Sequence, residues 1–290
     1  MHQNQVIVIT GTSSGFGRLI ALTAAQKGHQ VFATMRSTTG KNAAACAELT
    51  SLGKGHIHVV DLDVCSDESV DNAVSSILAQ AGHIDVLVNN AGFAIMGLAE
   101  TVSDAQATAQ FDTNVMGPHR TMRAVLPSMR ARGRGLIIQI TSGLGRMVLP
   151  MMGVYCASKF ALEALSEAYR YELKPTGVEV SIVQPGAFPT ELPQHMVVGT
   201  NQERAAGYGP LADGMQQMGK SFETMFAHNP PSPQLVADGV MSLIDMQPGQ
   251  RPARLVVDPM TGQIVRDIND AIAEKQRGAL QGMHMGMLAD

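Results

Sequence analysis

Tyr155 and Lys159 stand four residues apart in Tyr155-Cys156-Ala157-Ser158-Lys159. The surrounding stretch is patterned as a strong helix, so both fall on one face, one turn apart. A phenol ordinarily keeps its proton up to pH ~10. An ammonium beside it favours the phenolate and draws that value towards the working pH. The pair is therefore equipped to give or take a proton at a reacting oxygen. Alone the spacing is a weak signal, because exposed helices carry such pairs commonly.

A second constellation lies near the start of the chain, in Thr10-Gly11-Thr12-Ser13-Ser14-Gly15-Phe16-Gly17. Glycines allow a tight turn and close approach of backbone to a bulky anion. A following helix N-terminus offers unpaired N–H groups and the positive end of its dipole to phosphate. The spacing Gly-x-x-x-Gly-x-Gly departs from the commoner Gly-x-Gly-x-x-Gly fingerprint. Two other readings stay open here. A strand-to-helix turn without ligand uses glycine in the same way. Gly11-Thr12-Ser13-Ser14-Gly15 also fits the Gly-x-Ser-x-Gly elbow, which would make Ser13 the nucleophile of a hydrolase. That elbow needs an acid and then a late histidine. His195 and His228 lack a convincing strand-end setting, and an elbow on the first strand leaves no earlier loop for the oxyanion hole.

The elements that must position these groups alternate along the first two-thirds of the chain. Apolar runs at Val6–Thr10, Val31–Thr34, His56–Val60, Val86–Asn89, Leu136–Ile140 and Val178–Gln184 have the unbroken hydrophobicity of strands covered on both faces. Between them lie helical patterns: Phe16 to Lys27, ended by Gly28; an alanine-rich segment before Gly53; and a helix capped by Ser66 and closed by Gly82. Next come a long region from Ser103 to Arg132, with a bend expected near Gly117–Pro118, and the helix Val154–Lys174. Repeated βα units predict an α/β fold: a doubly wound parallel sheet flanked by helices, Rossmann-type, as a single domain over 1–290. Residues 187–230, rich in glycine and including Met196, Met215, Met218 and Met225, are expected to form an adaptable, partly helical lid over an apolar pocket. Ser232–Pro233 starts a further helix, Arg254–Asp258 suits a last strand, and 260–290 form a C-terminal extension with an amphipathic helix.

Composition narrows the classes. The chain has 290 residues, 45% hydrophobic and 16% charged, with a formal net charge of −4. Nothing there calls for nucleic acid or an anionic membrane as partner. No apolar run approaches the ~20 residues needed to span a bilayer. The chain enters its first strand at Val6 without a basic stretch or cleavable apolar segment, so cytoplasmic residence is expected. Cys46, Cys65 and Cys156 are too few and scattered for a disulfide framework. His56 and His58 share a strand face, but no third ligand is evident and no metal is expected.

Further residues fall at the same carboxyl rim of the sheet, where ligands bind in such folds. Ser142 follows the fifth strand, Asn89-Asn90-Ala91-Gly92 ends the fourth, Pro185-Gly186 ends the sixth, and Asn114 lies in the helix between the fourth and fifth. Each has its own structural explanation. Together and in this order, over roughly residues 5–260, they resemble the short-chain dehydrogenases/reductases. The resemblance rests on the glycine turn 10–17, Asp63-Val64, Asn89–Gly92, Asn114, Ser142, Tyr155, Lys159, and Pro185-Gly186 with Thr190. It implies that Tyr155 is the general acid in reduction and Ser142 orients the substrate oxygen. Lys159 would lower the tyrosine pKa and hold the nicotinamide ribose, while Asn114 would position a water linking Lys159 to solvent. For the cofactor it implies Gly11, Ser13, Ser14, Gly15, Phe16 and Gly17 at the phosphates and Asp63 and Val64 at the adenine. Asn90, Ala91 and Gly92 would line its path, Thr190 would hold the carboxamide or the phosphates, and Pro185, Gly186 and Phe188 would complete the cofactor site. A homo-oligomer, dimer or tetramer, is also implied. A cofactor-sensing protein that keeps this fold without the chemistry is the alternative from another class.

The second strand ends in Ala33-Thr34-Met35-Arg36, where an NAD site would usually present a carboxylate. Met35 offers none, whereas Arg36 can pair with a 2′-phosphate. NADP(H) is therefore expected over NAD(H), in line with a likeness to the steroid- and retinol-type branch of the family. Phe93, Ile95, Met96, Leu144, Met147, Val148 and Met152 are candidate pocket residues, together with Phe188 and the lid. Their apolar character points to a hydrophobic ketone, aldehyde or alcohol.

Overall fold

The computed structural model describes residues 4–189, 197–227 and 230–288, without the side chain of Gln202. Thr190, His195, Met196 and His228 lie outside the described residues.

The apolar runs become strands β1 (Val6–Thr10), β2 (Gln30–Met35), β3 (Ile57–Asp61), β4 (Val86–Asn89), β5 (Ile95–Met96), β6 (Gly135–Ile140), β7 (Val178–Pro185), β8 (Val197–Val198) and β9 (Arg254–Val257). The helices are α1 (Gly15–Gln26), α2 (Ala43–Leu52), α3 (Asp67–Ala81), α4 (Asp104–Phe111), α5 (Gly117–Arg132), α6 (Gly153–Leu173), α7 (Gly214–Phe226), α8 (Gln234–Asp245) and α9 (Gly262–Gly282). Seven strands form one sheet in the order β3-β2-β1-β4-β6-β7-β9. Every neighbouring pair in it is parallel. The order reverses between β1 and β4, which opens a crevice at the carboxyl ends of those strands.

Strand alternation divides the core in two. Ile7 and Ile9 face one side with Ile20 and Ala24 of α1 and Val236, Val240 and Met241 of α8. Val6 and Val8 face the other with Val70, Val74 and Ile77 of α3 and Met122, Val125 and Met129 of α5. Both faces of the sheet are thus covered, which is why β1 is buried at all five residues. This is the doubly wound, Rossmann-type arrangement that the βα repetition predicts.

Local chemistry sets several boundaries. Ser66 accepts a hydrogen bond from the Ser69 N–H and caps α3, which ends at Gly82 with φ 78°. Ser103 and Gln106 form a capping box on α4. The bend expected at Gly117–Pro118 needs correction. The irregular turn is π-helical, spans Asp112–Met116 and contains Asn114. The backbone stays helical from Phe111 through Gly117, so Pro118 follows this turn inside a continuous helix, where its missing N–H removes the i−4 bond to Asn114. Gly117 is there for contact, since a Cβ would come within 2.9 Å of the Val64 side chain.

Residues 202–213 form a 3₁₀ segment kinked at Gly209, followed by α7. Val197–Val198 pair in parallel with Ile95–Met96, a two-residue ladder that ties this region to the chain after β4. No periodicity announces strands that short. Among the described residues, no helix is long and apolar enough to cross a membrane.

Candidate active site

The turn between β1 and α1 is closed on one side and open on the other. Gly11 has φ +70°, and a Cβ there would lie 2.8 Å from the Ala91 Cα. At Gly17 a Cβ would meet the Gly11 carbonyl oxygen at 2.3 Å and the Asn90 amide at 2.4 Å. Asn90 Nδ2 donates to the carbonyls of Thr10 and Gly11, both at 2.9 Å. Thr10 Oγ1 accepts from the backbone N–H groups of Asn90 and Ala91. Gly15, with φ +57°, faces open space where a Cβ would meet nothing within 4 Å. Ser14 precedes the helix in an extended conformation and makes no side-chain cap, and the first turn holds no acidic residue. The α1 N-terminus is thus left to an outside acceptor, which fits the phosphates of a dinucleotide.

Helix α6 brings Tyr155 and Lys159 to the same rim. The Ser142 hydroxyl stands beside the Tyr155 phenol, which it acts on electrostatically, and accepts from the Leu144 N–H at 3.1 Å. Burial pushes the Tyr155 phenol up to about 12, opposed by Ser142. Burial likewise pushes Lys159 down to about 8, opposed by the carboxylate of Glu163. The expected lowering of the tyrosine by Lys159 is therefore not observed. Lys159 Nζ stands 5.8 Å from the centre of the phenol ring and donates to the Ile140 carbonyl at 3.1 Å. Burial is the largest influence on the phenol and Lys159 is not among the groups that shift it, so the phenol stays protonated across neutral pH.

Asn114 is buried and engaged on all sides. Its Oδ1 accepts from the Phe93 N–H at 3.1 Å, and its Nδ2 donates to the Phe93 carbonyl and to Ser158 Oγ. A Cβ on Gly92 would lie 3.0 Å from Asn114 Oδ1 and 3.8 Å from Lys159 Nζ. The π-helical turn aims Asn114 at this point, and such turns often mark functional positions.

At the far end of the crevice Met35 is buried, whereas the Arg36 side chain is 56% exposed and 3.9 Å from Asp63. Val64, grouped with Asp63 in the sequence, turns into the core against Gly117, which leaves Asp63 as the more open of the two. Pro185 and Gly186 continue β7 beside β9, where a Cβ on Gly186 would strike the Asp258 carboxylate at 2.2 Å. Phe188 does not join the substrate side. It packs edge-on to Phe16, ring centres 5.6 Å apart, beside the glycine turn.

Over Tyr155 lies a small apolar cluster of Ala94, Met96, Met152 and Cys156, packed with Leu144, Tyr155 and Met215, Met218 and Phe222 of α7. Of the candidate pocket residues, Met96, Leu144 and Met152 belong to it. Phe93 and Met147 are half-buried outside it, Ile95 is buried elsewhere, and Val148 is 65% exposed. His58 stacks on Phe32, with ring centres 5.2 Å apart, as an ordinary strand residue.

Several residues here escaped the sequence. Thr10 and Ser158 hold site residues through hydrogen bonds. Glu163, one helical turn beyond Lys159 on the same face, is 2% exposed and accepts from Thr141, Gln184 and Arg254. The i+4 spacing was a usable signal for Glu163. Its partners come from distant parts of the chain and carried none.

A glycine cradle, an amide-lined crevice at the switch point and a tyrosine–lysine–serine group thus meet at one rim. The family pattern of short chain dehydrogenases matches residues 5–199. The chain is 42% identical over 188 residues to 3-ketodihydrosphingosine reductase of Bacteroides thetaiotaomicron, covering 65% of each chain. It is 38% identical over 209 residues to human retinol dehydrogenase 8, covering 71% of this chain and 66% of that one. The matches thus span slightly under two-thirds of these relatives' own lengths. A crystal structure of a short-chain dehydrogenase from Streptomyces avermitilis shares the fold with a TM-score of 0.76 at 31% identity, over 97% of both chains. By fold, rim geometry and these likenesses, the chain belongs to the short-chain dehydrogenases, with the retinol- and steroid-type branch among its relatives.

Proposed function

We propose that the chain interconverts a hydrophobic ketone or aldehyde and the corresponding alcohol, preferring NADP(H), with Tyr155 as the proton donor in reduction. The observation that carries this reading is the Tyr155 phenol. It is held protonated by burial, stands beside Ser142 and packs against an apolar cluster. A bound nicotinamide would supply or accept the hydride. Ser142 holds the carbonyl oxygen beside the phenol, and Tyr155 gives that oxygen its proton as the carbon takes up hydride. Lys159, Asn90, Ala91 and Gly92 would hold the ribose side, and the turn from Gly11 to Gly17 the phosphates. Arg36, lacking a competing carboxylate on Met35, would pair with a 2′-phosphate.

The substrate side supports an apolar compound. Met215, Met218 and Phe222 meet Met152 and Leu144 with hydrocarbon and thioether surface, and thioethers adapt to irregular shapes. The names of the two relatives, a ketodihydrosphingosine reductase and a retinol dehydrogenase, speak for the same lipid-like class. Residues 187–230 then serve as the lid of a single domain. Free thiols at Cys46, Cys65 and Cys156 suit a reducing, cytoplasmic setting, and the family habit suggests a homodimer or homotetramer. A silent sensor has no use for a phenol and a serine hydroxyl set side by side at the rim. Ser13 lies in the phosphate cradle, so a hydrolase is disfavoured.

The test mixes purified protein with NADPH or NADH and a panel of apolar carbonyls, following loss of the reduced cofactor. Wild type is expected to turn over at least one of them, faster with NADPH. Tyr155→Phe should lose about 10³-fold in turnover, within the range for general acid catalysis, while binding cofactor normally. Full activity in that variant would remove Tyr155 from its role.

A further inference from the structure

A buried polar network lies behind the site, on the side of the Ser142 loop away from Tyr155. Thr141 Oγ1 donates to Glu163 Oε1 at 2.7 Å, and Gln184 Nε2 donates to the same oxygen at 2.9 Å. Arg254 Nε donates to Glu163 Oε2 at 2.9 Å, and its Nη2 to Glu167 Oε2 at 2.7 Å. A Cβ on Gly145 would come within 2.9 Å of Glu163 Cγ, so the loop rests directly on that side chain. The hub thus joins β6, β7, β9 and α6.

The C-terminal helix α9 closes this network. Asn269, 8% exposed, accepts from Arg146 Nε at 3.0 Å and donates to Gln184 Oε1 at 2.7 Å. One turn earlier, Val265 Cγ2 lies 3.2 Å from where a Cβ of Gly143 would stand. Arg146 also stands 3.7 Å from Glu163 Oε2 and 3.9 Å from Glu167 Oε2, but its Nη2 is buried without a hydrogen-bond partner, so the bond from Nε to Asn269 adds the directional contact that these ion pairs lack. Residues 141–146 therefore show two faces. Ser142 and Leu144 turn to the reacting side, while Thr141, Gly143, Gly145 and Arg146 are gripped from behind.

We propose that Asn269 of α9 and Glu163 of α6 are positioning residues that clamp the 141–146 loop and so hold Ser142 against Tyr155, making the C-terminal extension part of the catalytic apparatus. Removing Asn269 leaves a fixed loop end at Thr141 and one at Arg146 held by the longer ion pairs to Glu163 and Glu167. A hydroxyl displaced by a fraction of an ångström loses catalytic alignment with little effect on folding. The catalytic part of this inference rests on the oxidoreductase reading above; the mechanical part does not.

The experiment compares wild type, Asn269→Ala, Asn269→Asp and Ile272→Ala, the last on the exposed face of α9. Hydrogen exchange is measured by mass spectrometry over residues 141–147, with β1 as internal reference. Asn269→Ala should exchange about tenfold faster in that loop alone, as local opening does. Asn269→Asp keeps an acceptor for Arg146 and should recover most of the protection, and Ile272→Ala should match wild type. In the turnover assay, Asn269→Ala should lose about tenfold in kcat with the Kd for NADPH unchanged, a split that general destabilisation would not produce. Unchanged exchange in Asn269→Ala, or equal loosening in the Asp and Ala variants, overturns the clamp. Loosened exchange with undiminished kcat overturns the positioning role. If wild type turns over no carbonyl, the exchange data still decide the clamp, and that failure falls on the proposed function.

Discussion

The floor and the roof of the crevice are built from opposite materials. On the floor, polar atoms are tied to one another: Asn90 to the carbonyls of Thr10 and Gly11, Asn114 to the backbone of Phe93 and to Ser158, Lys159 to the Ile140 carbonyl. The roof over Tyr155 consists of methionines, a leucine and a phenylalanine joined by apolar contact. Buried polar atoms have costly alternatives, so a floor of this kind has one geometry. Apolar contacts are non-directional and tolerate repacking. Under the proposed function the contrast implies a division of labour, in which the floor sets the reaction and the roof selects what undergoes it.

Breaking the floor should have the largest consequence. Asn114→Ala leaves the Phe93 N–H without its side-chain acceptor, while the Phe93 carbonyl keeps Gln110, so stability should fall by about 2 kcal/mol in denaturant titration. Turnover should fall by more than about tenfold as Gly92 and Lys159 lose their neighbour. A variant as stable and active as wild type would show that the floor is not the single-geometry device described.

Two further tests sharpen the floor from its ends. At the adenine end, Arg36→Asp should shift the ratio of Kd values from NADPH towards NADH by about tenfold, the worth of one charge-assisted bond of ~1.5 kcal/mol. An unchanged ratio would remove Arg36 from cofactor choice. At the reacting end, Lys159 carries its charge below about 8 and Tyr155 its proton below about 12. Reduction should therefore hold steady at neutral pH and decline as pH rises through about 8, when the ammonium is lost first. A profile flat to pH 10 would mean that the charge on Lys159 is not needed.

The roof should yield the smallest effect. Phe222→Ala should raise KM for an apolar carbonyl about fivefold, ~1 kcal/mol of lost burial, with kcat for a small substrate little changed. Should kcat collapse instead, the roof takes part in the chemistry and the contrast fails.

Much of this arrangement was legible in the residue order. Unbroken apolar runs separated by helical patterns announce a parallel sheet, because strands covered on both faces need no polar alternation. The positions of the glycine turn, Tyr155 and Lys159 were also legible from turn chemistry and helical spacing, whereas Asn114 and Ser142 were singled out by the family resemblance. The sequence misled where distance and burial compete. Lys159 in one dimension is only a neighbour that should acidify a phenol. In three dimensions it lies 5.8 Å from the ring, bonded elsewhere, in surroundings that favour the neutral tyrosine. Val64, paired with Asp63 in the motif, belongs instead to the core.

What the residue order determined on its own was the set of groups and the rim that would hold them, because backbone periodicity and turn chemistry are local. The tertiary structure alone decided which groups share an environment. Nothing in one dimension joins Asn269 to Arg146, 123 positions away, or places Glu163 under the Ser142 loop. Such pairings depend on how helices settle against the sheet, and that settlement is governed by the packing of the whole core.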